Sequence, residues 1–432
     1  MSLDSDNSAQ QTLQTDCDIL VVGAGLVGAT LALRLESCGL RIGVLDRGEL
    51  LTGEDSDRLD QSDIQFDPRV VALTAQSQRL FTRVGAWEQL EKTRHCPYQH
   101  MRVWEQDGTG RVEFHAQEIH EPALGTIIEN SLILRALHCK INEQREQAKS
   151  FGGKPLQLYM GRSVEKLTRG SSAGSRPISS LHCSDGSVVS AHLVIAADGG
   201  NSQLRQLAGV ETREWDYGQK AIVTTIRTRE AHDRTALQRF LSSGPLAFLP
   251  LADSADEAQG HHCSIVWSAD DNRADALMAL DEERFNAELS SAMEGALGGV
   301  EWSDKRFVFP LRQRHAKRYV DGNIVLAGDA AHTIHPLAGQ GVNLGLLDVE
   351  ALAVELEKGL QAGRLPEDPL VLARYQRARV GDNLAMMGLM EGFKRGFGEE
   401  SLAIRWLRNA GLNTVNRLAP VRKLLARRAL GL

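Results

Sequence analysis

Three glycines at a fixed spacing mark the first stretch of this chain that could do chemistry. In GAGLVG they are Gly23, Gly25 and Gly28. The first permits a tight turn, the second lets a pyrophosphate approach the backbone, and the third lets a helix pack close to a strand. A helix starting there points amide donors and the positive end of its dipole at an anion. Asp46 follows about twenty residues later, at the end of a second apolar run, where its carboxylate can accept hydrogen bonds from a ribose. An acid at that position, with no basic substitute, favours an unphosphorylated ribose, hence FAD or NAD over NADP.

A second stretch narrows the choice. NIVLAGDAAHTIHPLAGQGVNLGLLDVEALA (323–353) sets Gly328 and Asp329 just past an apolar strand. A loop with Pro336, Gly339, Gln340 and Gly341 follows, then a long helical pattern. An Asp beyond a strand end can grip a polyol such as the ribityl chain of a flavin. A helix beginning near Gly341 favours negative charge in front of it, and a reduced flavin is anionic on that edge. Flavin is therefore the expected dinucleotide. Between these stretches, HLVIAADGGNSQLRQLAG (192–209) ends an apolar strand at Asp198-Gly199, with Ser202 and Arg205 on the following turns. Alone it reads equally well as a strand-to-helix corner with an N-cap.

These residues need a scaffold that brings distant segments together. CDILVV, then helical spacing from Val27 to Leu35, then RIGVLD give the order strand, helix, strand. Residues 48–67 are acidic and turn-rich, as an exposed excursion would be, and 72–92 resume a helical pattern. HMRVWEQ (100–106) and RVEFHA (111–116) flank Asp-Gly and predict a hairpin that breaks the βαβ rhythm. Strands are expected near 156–160, 179–183 and 188–196, and a second, antiparallel sheet from 219–228, 244–251 and 262–269. The expected fold is α/β: a discontinuous, doubly wound, Rossmann-like domain with an inserted antiparallel sheet and a helical C-terminus. The boundaries drawn are a tail over 1–15, a dinucleotide domain over 16–95, 120–210 and 310–355, an inserted domain over 96–119 and 211–309, and helices over 356–432.

The ordered set GAGLVG…D, AADGGNSQLR and GDAAHTIHPLAGQGVN resembles the para-hydroxybenzoate-hydroxylase class of flavin monooxygenases over most of the chain. Within it, PRVVALTAQSQRLFTRVGAWE, GTIIENSLILRAL, CSIVWS and HTIHPLAGQGVNLG are similar to the ubiquinone-biosynthesis hydroxylases. WDY (215–217) and LAFLPL (246–251) lean towards the branch acting at ring carbon 5 of a 2-polyprenylphenol. The resemblance implies FAD, transient reduction by NAD(P)H, a C4a-hydroperoxyflavin, and hydroxylation of an electron-rich ring. It also implies that Gly23, Gly25 and Gly28 hold the pyrophosphate and Asp46 the adenine ribose. Arg69, Asn130 and Arg135 would then lie along the cofactor. Asp198 and Arg205 would contact FAD and the pyridine nucleotide, Asp329 the ribityl oxygens, and Pro336 to Asn343 the isoalloxazine ring. Two other readings compete: a hydroxylase of the same class acting on a soluble phenol, and a flavin-bearing scaffold of a ubiquinone-biosynthesis complex.

The search for a base reaches His335, beside the ring-lining loop and able to titrate near neutrality; local packing is its other reading. His332 reads as a structural partner of the same loop, and Tyr217 as a core residue near the substrate sheet. His261-His262 lack ligand spacing, so no metal is expected. A net charge of −7 argues against nucleic acid, and six scattered cysteines without a CxxC pair suit reduced thiols. The N-terminal stretch lacks a signal-peptide layout, which points to the cytoplasm, at most peripheral at the inner membrane. The acid-free segment 401–432 has seven Arg and Lys, with Leu418, Val421, Leu424 and Leu425 on helical spacing, an amphipathic basic helix suited to anionic lipid or a protein partner, or simply a solvated helix on the core. Oligomeric state is left open, a homo-oligomer included.

Overall fold

The computed structural model describes residues 15–51, 66–106, 110–170, 176–254, 260–333 and 341–398, together with Leu418, Pro420, Arg422 and Lys423. For 389–398 the description covers the backbone alone. His335, Pro336, Gly339 and Gln340 lie outside the described residues, as do most of the acidic excursion and of the basic C-terminal segment.

The apolar, β-branched run Cys17–Val22 is the centre of an eight-stranded sheet. It pairs in parallel with Val188–Ala196 on one side and Ile42–Leu45 on the other. Ile324–Leu326 extends the parallel run beyond Val188–Ala196, and Gln157–Tyr159 extends it beyond Ile42–Leu45. Helices Leu26–Leu35, Asn130–Phe151 and Gly341–Gln361 pack together in the same core as this sheet, whose central strands are buried.

A second sheet, of nine strands, is largely antiparallel. Its long strand Thr212–Thr228 pairs with His262–Asp270 and with Phe307–Ala316. On one face Ile222, Ile265, Trp267 and Phe248 pack against helices Asp271–Met278 and Glu282–Ala292. The second of these helices is fixed at its start by Asp281, whose side chain accepts the Arg284 N–H at 2.8 Å. On the opposite face Ala236, Ala247, Leu249 and Val266 meet a small three-stranded sheet made of Val70–Leu73, Gly125–Glu129 and His95–Tyr98.

Several elements differ from expectation. The pattern over 72–92 begins with strand Val70–Leu73, and only then come helices Ala75–Arg83 and Trp87–Leu90. VVAL is short, apolar and flanked by polar residues, so periodicity alone could not separate strand from helix. His95–Tyr98, Thr235–Leu241 and Phe307–Ala316 are further strands. The last lies in the nine-stranded sheet, so residues 310–316 belong there and not with the parallel sheet, as a boundary at 310 had them.

Candidate cofactor and substrate site

Register brings the separated sequence stretches to one edge. Val22 lies beside Leu45 and Ala196, and Ala196 beside Leu326. The residues that follow, Gly23, Asp46, Asp198 and Gly328-Asp329, therefore emerge side by side at the carboxyl ends of parallel strands. That is where open α/β sheets hold ligands.

Close packing locks the stretches together. A Cβ on Gly23 would come within 2.3 Å of the Ala197 carbonyl oxygen, and one on Gly28 within 1.8 Å of the Gly23 carbonyl oxygen. Val27 is pressed on by both Gly328 and Gly345 of the third stretch. Gly25 differs from these: a Cβ there would meet none of the described residues within 4 Å. Gly341, the first residue of helix Gly341–Gln361, is equally open. Two helix N-termini thus begin at glycines with no described residue crowding them, a cradle that fits a dinucleotide's phosphates and an electron-rich ring edge.

The first turn is clamped from two sides. Asp46 accepts the N–H of Ala24 at 2.6 Å through Oδ2 and that of Gly48 at 2.7 Å through Oδ1. Its remaining lone pairs leave capacity for ribose hydroxyls. The buried ring of His138 donates from Nε2 to the Ala24 carbonyl at 2.7 Å and accepts the Leu51 N–H at Nδ1 at 2.9 Å. Burial lowers the basicity of His138, so it stays in the neutral form this pairing requires. No sequence motif signalled His138; it reads as an ordinary polar position in helix Asn130–Phe151.

The second stretch is tied to the third through Arg205. Its guanidinium is buried and donates to the carbonyls of Ala330 and Gly200, at 2.9 Å each. Two of its N–H groups thereby tie the second stretch to the third. Asp198 accepts the Leu204 N–H at 3.2 Å, while its Oδ1 is buried without a hydrogen-bond partner among the described residues. Asp329 is open to solvent, yet enclosing protein raises its carboxyl above the ordinary range, as for a side chain on the floor of a cleft.

Beneath Gly328 lies a fully buried polar cluster centred on Asp348. Its Oδ2 accepts the Gly328 N–H at 2.9 Å and the His332 ring at 2.6 Å. Its Oδ1 accepts Arg379 Nε at 2.7 Å. Burial alone would raise Asp348, but His332 and Arg379 outweigh it and hold the carboxyl below its usual range. Asn383 bridges this cluster to the Tyr319 hydroxyl at 3.0 Å, and Tyr319 bonds the His315 ring at 3.1 Å. His332 is thus a structural partner of its loop, as its position suggested. Asp348, Arg379 and Asn383 were not foreseen. The only available signal was acids and amides inside otherwise apolar helical spacing.

Other expected residues divide. The Asn130 N–H donates to the Arg69 carbonyl at 2.9 Å, so Arg69, with an exposed side chain, sits at the start of the helix carrying Arg135. Asn343 directs its side chain to the strand and helix beside it. Its Oδ1 accepts Thr74 N–H at 3.1 Å and Ser77 Oγ at 2.7 Å, and its Nδ2 donates to the Ala72 carbonyl at 2.7 Å. It staples the cofactor helix to Val70–Leu73. Tyr217 is half-exposed and bonds Gln313, not a core residue. His261 bonds the Thr228 carbonyl and His262 bonds Asp253, and no metal-ligating cluster exists among the described residues.

Comparison with known proteins agrees with this geometry. Residues 16–384 match the FAD binding domain family. The chain is 33% identical to 3-demethoxyubiquinol 3-hydroxylase of Escherichia coli K12, covering 96% of this chain and 98% of that protein. It is 34% identical to the ubiquinone hydroxylase UbiL of Rhodospirillum rubrum, covering 96% and 89%. Human ubiquinone biosynthesis monooxygenase COQ6 is 29% identical over 94% of this chain and 91% of its own length. Among solved structures, p-nitrophenol 4-monooxygenase PnpA of Pseudomonas putida superposes with a TM-score of 0.71 at 18% identity, covering 97% of this chain and 99% of that one. The chain belongs to the FAD binding domain family and is an FAD-dependent monooxygenase of the group that includes the ubiquinone-biosynthesis hydroxylases.

Proposed function

We propose that this flavoenzyme hydroxylates the aromatic ring of a polyprenylated phenol in ubiquinone biosynthesis, taking electrons from NAD(P)H. The observation that carries the reading is the apolar contact between the small sheet and the inner face of the large one. Val70, Ala72, Tyr98, Met101, Ala247, Leu249 and Val266 meet there in an apolar cluster beside the cofactor helix. An apolar wall excludes water and favours an uncharged ring with a hydrocarbon chain. Bound FAD supplies the activation of dioxygen. The protein's part is to hold the cofactor at the strand ends, keep the Gly328-Asp329 turn rigid through Asp348, and seat the phenol against the opposite sheet.

The relatives include an enzyme named for ring position 3, and the branch suggested by WDY and LAFLPL acts at carbon 5; the proposal is the ring hydroxylation itself. No helix among the described residues is long and apolar enough to cross a membrane, so a chain-bearing substrate would be met at a membrane surface or handed over by a partner. Arg422 of the basic segment pairs with Glu118 beside the hairpin formed by His100–Glu105 and Arg111–His115. Deleting the gene tests the reading: a polyprenylphenol lacking one ring hydroxyl is expected to accumulate. Unchanged quinone output with no accumulated phenol would overturn it.

A further inference from the structure

On the nine-stranded sheet Glu214 and Arg314 face each other from neighbouring strands, and Arg314 has Thr333 on its other side. The Glu214 carboxylate accepts Arg314 Nε at 2.6 Å and Nη2 at 3.3 Å, and the Thr212 hydroxyl donates to it at 3.0 Å. The third arm of the guanidinium leaves the sheet. Nη1 donates to the Gly200 carbonyl, with Asn201 Oδ1 beside it at 3.4 Å. That carbonyl also accepts Arg205 Nη2 at 2.9 Å. A carbonyl oxygen has two lone pairs, so these two donors saturate it. Thr333 bounds the turn from a third side, its Oγ1 lying 3.2 Å from the point a Cβ on Gly200 would occupy.

Two guanidiniums meeting at one oxygen repel each other. Burial, with Arg314 adding to it, lowers the basicity of Arg205, while Asp198 and Glu214 act the other way. Glu214 faces solvent, so its ion pair is weak by itself; it orients Arg314 and offsets the repulsion. The contacts close a circuit. Arg314 reaches Gly200, and Arg205 Nη1 reaches the Ala330 carbonyl at 2.9 Å. The neighbouring Ala331 carbonyl then accepts the N–H of Ala316, on the strand that carries Arg314, at 2.8 Å. One side of the circuit is the Gly328–Ala330 turn. The other is the strand pair that runs on to the apolar wall, where Val223 of Thr212–Thr228 lies beside Val266 of the cluster.

We infer that Arg314 is a positioning residue for the hydroxylation: with Arg205 it clamps the Gly200 carbonyl, and so holds the apolar wall in place relative to the turn that carries Asp329. Oxygen transfer to a ring depends on such placement, because a displacement of about 1 Å between reacting partners can cost on the order of 100-fold in rate. A wall that shifts lets reduced cofactor spend its oxygen as hydrogen peroxide instead of on the ring. The inference rests on the hydroxylase reading above and names a residue on which its geometry depends.

Two readouts on the FAD-loaded, full-length enzyme test it. The first is amide hydrogen exchange in wild type and Arg314→Met. Peptides covering 198–207 and 324–333 should exchange about threefold faster or more in the variant, whereas a purely local role would move only 212–216 and 312–316. The second is the fate of NAD(P)H electrons with 2-prenylphenol as probe. Arg314→Met should keep its FAD and give about three- to tenfold less hydroxylated product per NAD(P)H, the balance appearing as peroxide. Arg314→Lys, which keeps a cationic donor for Gly200, should restore most of the product. Should R314M fail to fold, Glu214→Gln serves instead, with the same two signs expected. Unaltered exchange at 198–207 and 324–333, or a wild-type ratio of product to peroxide in FAD-replete R314M, would overturn the inference and leave the hydroxylase reading intact. If wild type itself forms no hydroxylated product, the functional reading falls, and the exchange pattern alone decides whether Arg314 couples the sheet to the turn.

Discussion

Asp348 Oδ2 accepts the backbone N–H of Gly328 at 2.9 Å, so a helix residue twenty positions downstream fixes the turn that carries Asp329. The same carboxylate holds His332 and Arg379, all of them buried. Removing it leaves a buried guanidinium and a buried imidazole without their shared acceptor, which costs about 3–5 kcal/mol. Asp348→Ala is therefore expected to lower urea-unfolding stability by that order and to yield protein poor in FAD. Asp348→Asn, which keeps one acceptor in place, should recover part of both.

His315 supplies a pH dependence of definite sign. Burial, with His332 and Arg213 adding to it, lowers its pKa to about 4. In the unfolded chain it titrates near 6.5, so between those values the unfolded state binds the proton and the native state does not. Stability contributed by neutral His315 is present above about pH 6.5 and is lost as pH falls towards 4, by on the order of 2–3 kcal/mol. Denaturant midpoints measured from pH 7.5 to 4.5 should fall more steeply for wild type than for His315→Gln.

The depressed pKa of Asp348 acts at lower pH. Its contribution is present above the ordinary carboxyl value near 4 and disappears as pH falls through the lower folded value. His315→Gln should therefore flatten the curve above pH 4.5 while leaving acid unfolding below about pH 4 in place.

The glycines of the first motif separate fold from ligand. A Cβ at position 28 collides with backbone, whereas one at 25 meets none of the described residues. Gly28→Ala should destabilise the protein itself by more than about 2 kcal/mol. Gly25→Ala should fold with nearly normal stability and yet lose FAD. Thermal unfolding beside the flavin spectrum distinguishes the two. Colourless protein of wild-type stability from G28A would contradict the assignment.

His138 holds the Ala24 carbonyl from behind. His138→Ala leaves that carbonyl and the Leu51 amide without their partner, at about 1–3 kcal/mol. FAD affinity should fall with it. His138→Gln, able to donate and accept, is the rescue variant.

The residues at the strand ends were legible because phosphate and polyol recognition demands glycines and an acid at narrow spacings there. Gly23, Gly28, Asp46 and Gly328 could be found that way. The parts that hold those residues still were not. Asp348 meets Gly328, His138 meets Ala24, and Arg205 meets Ala330 through contacts between elements far apart in sequence, and side-chain type alone does not reveal them. Asn343 is a further case. Its motif position gave no sign that packing directs its amide to Ala72, Thr74 and Ser77. The three-stranded sheet escaped notice for a related reason: its strands are four or five residues long and unpaired with sequence neighbours.

The central claim is that a ring is hydroxylated on this protein, and labelled oxygen tests it most directly. FAD-loaded enzyme given NAD(P)H, 2-prenylphenol and ¹⁸O₂ is expected to yield a hydroxylated phenol carrying one ¹⁸O atom per NAD(P)H consumed. Stoichiometric hydrogen peroxide with the phenol recovered unchanged would contradict it.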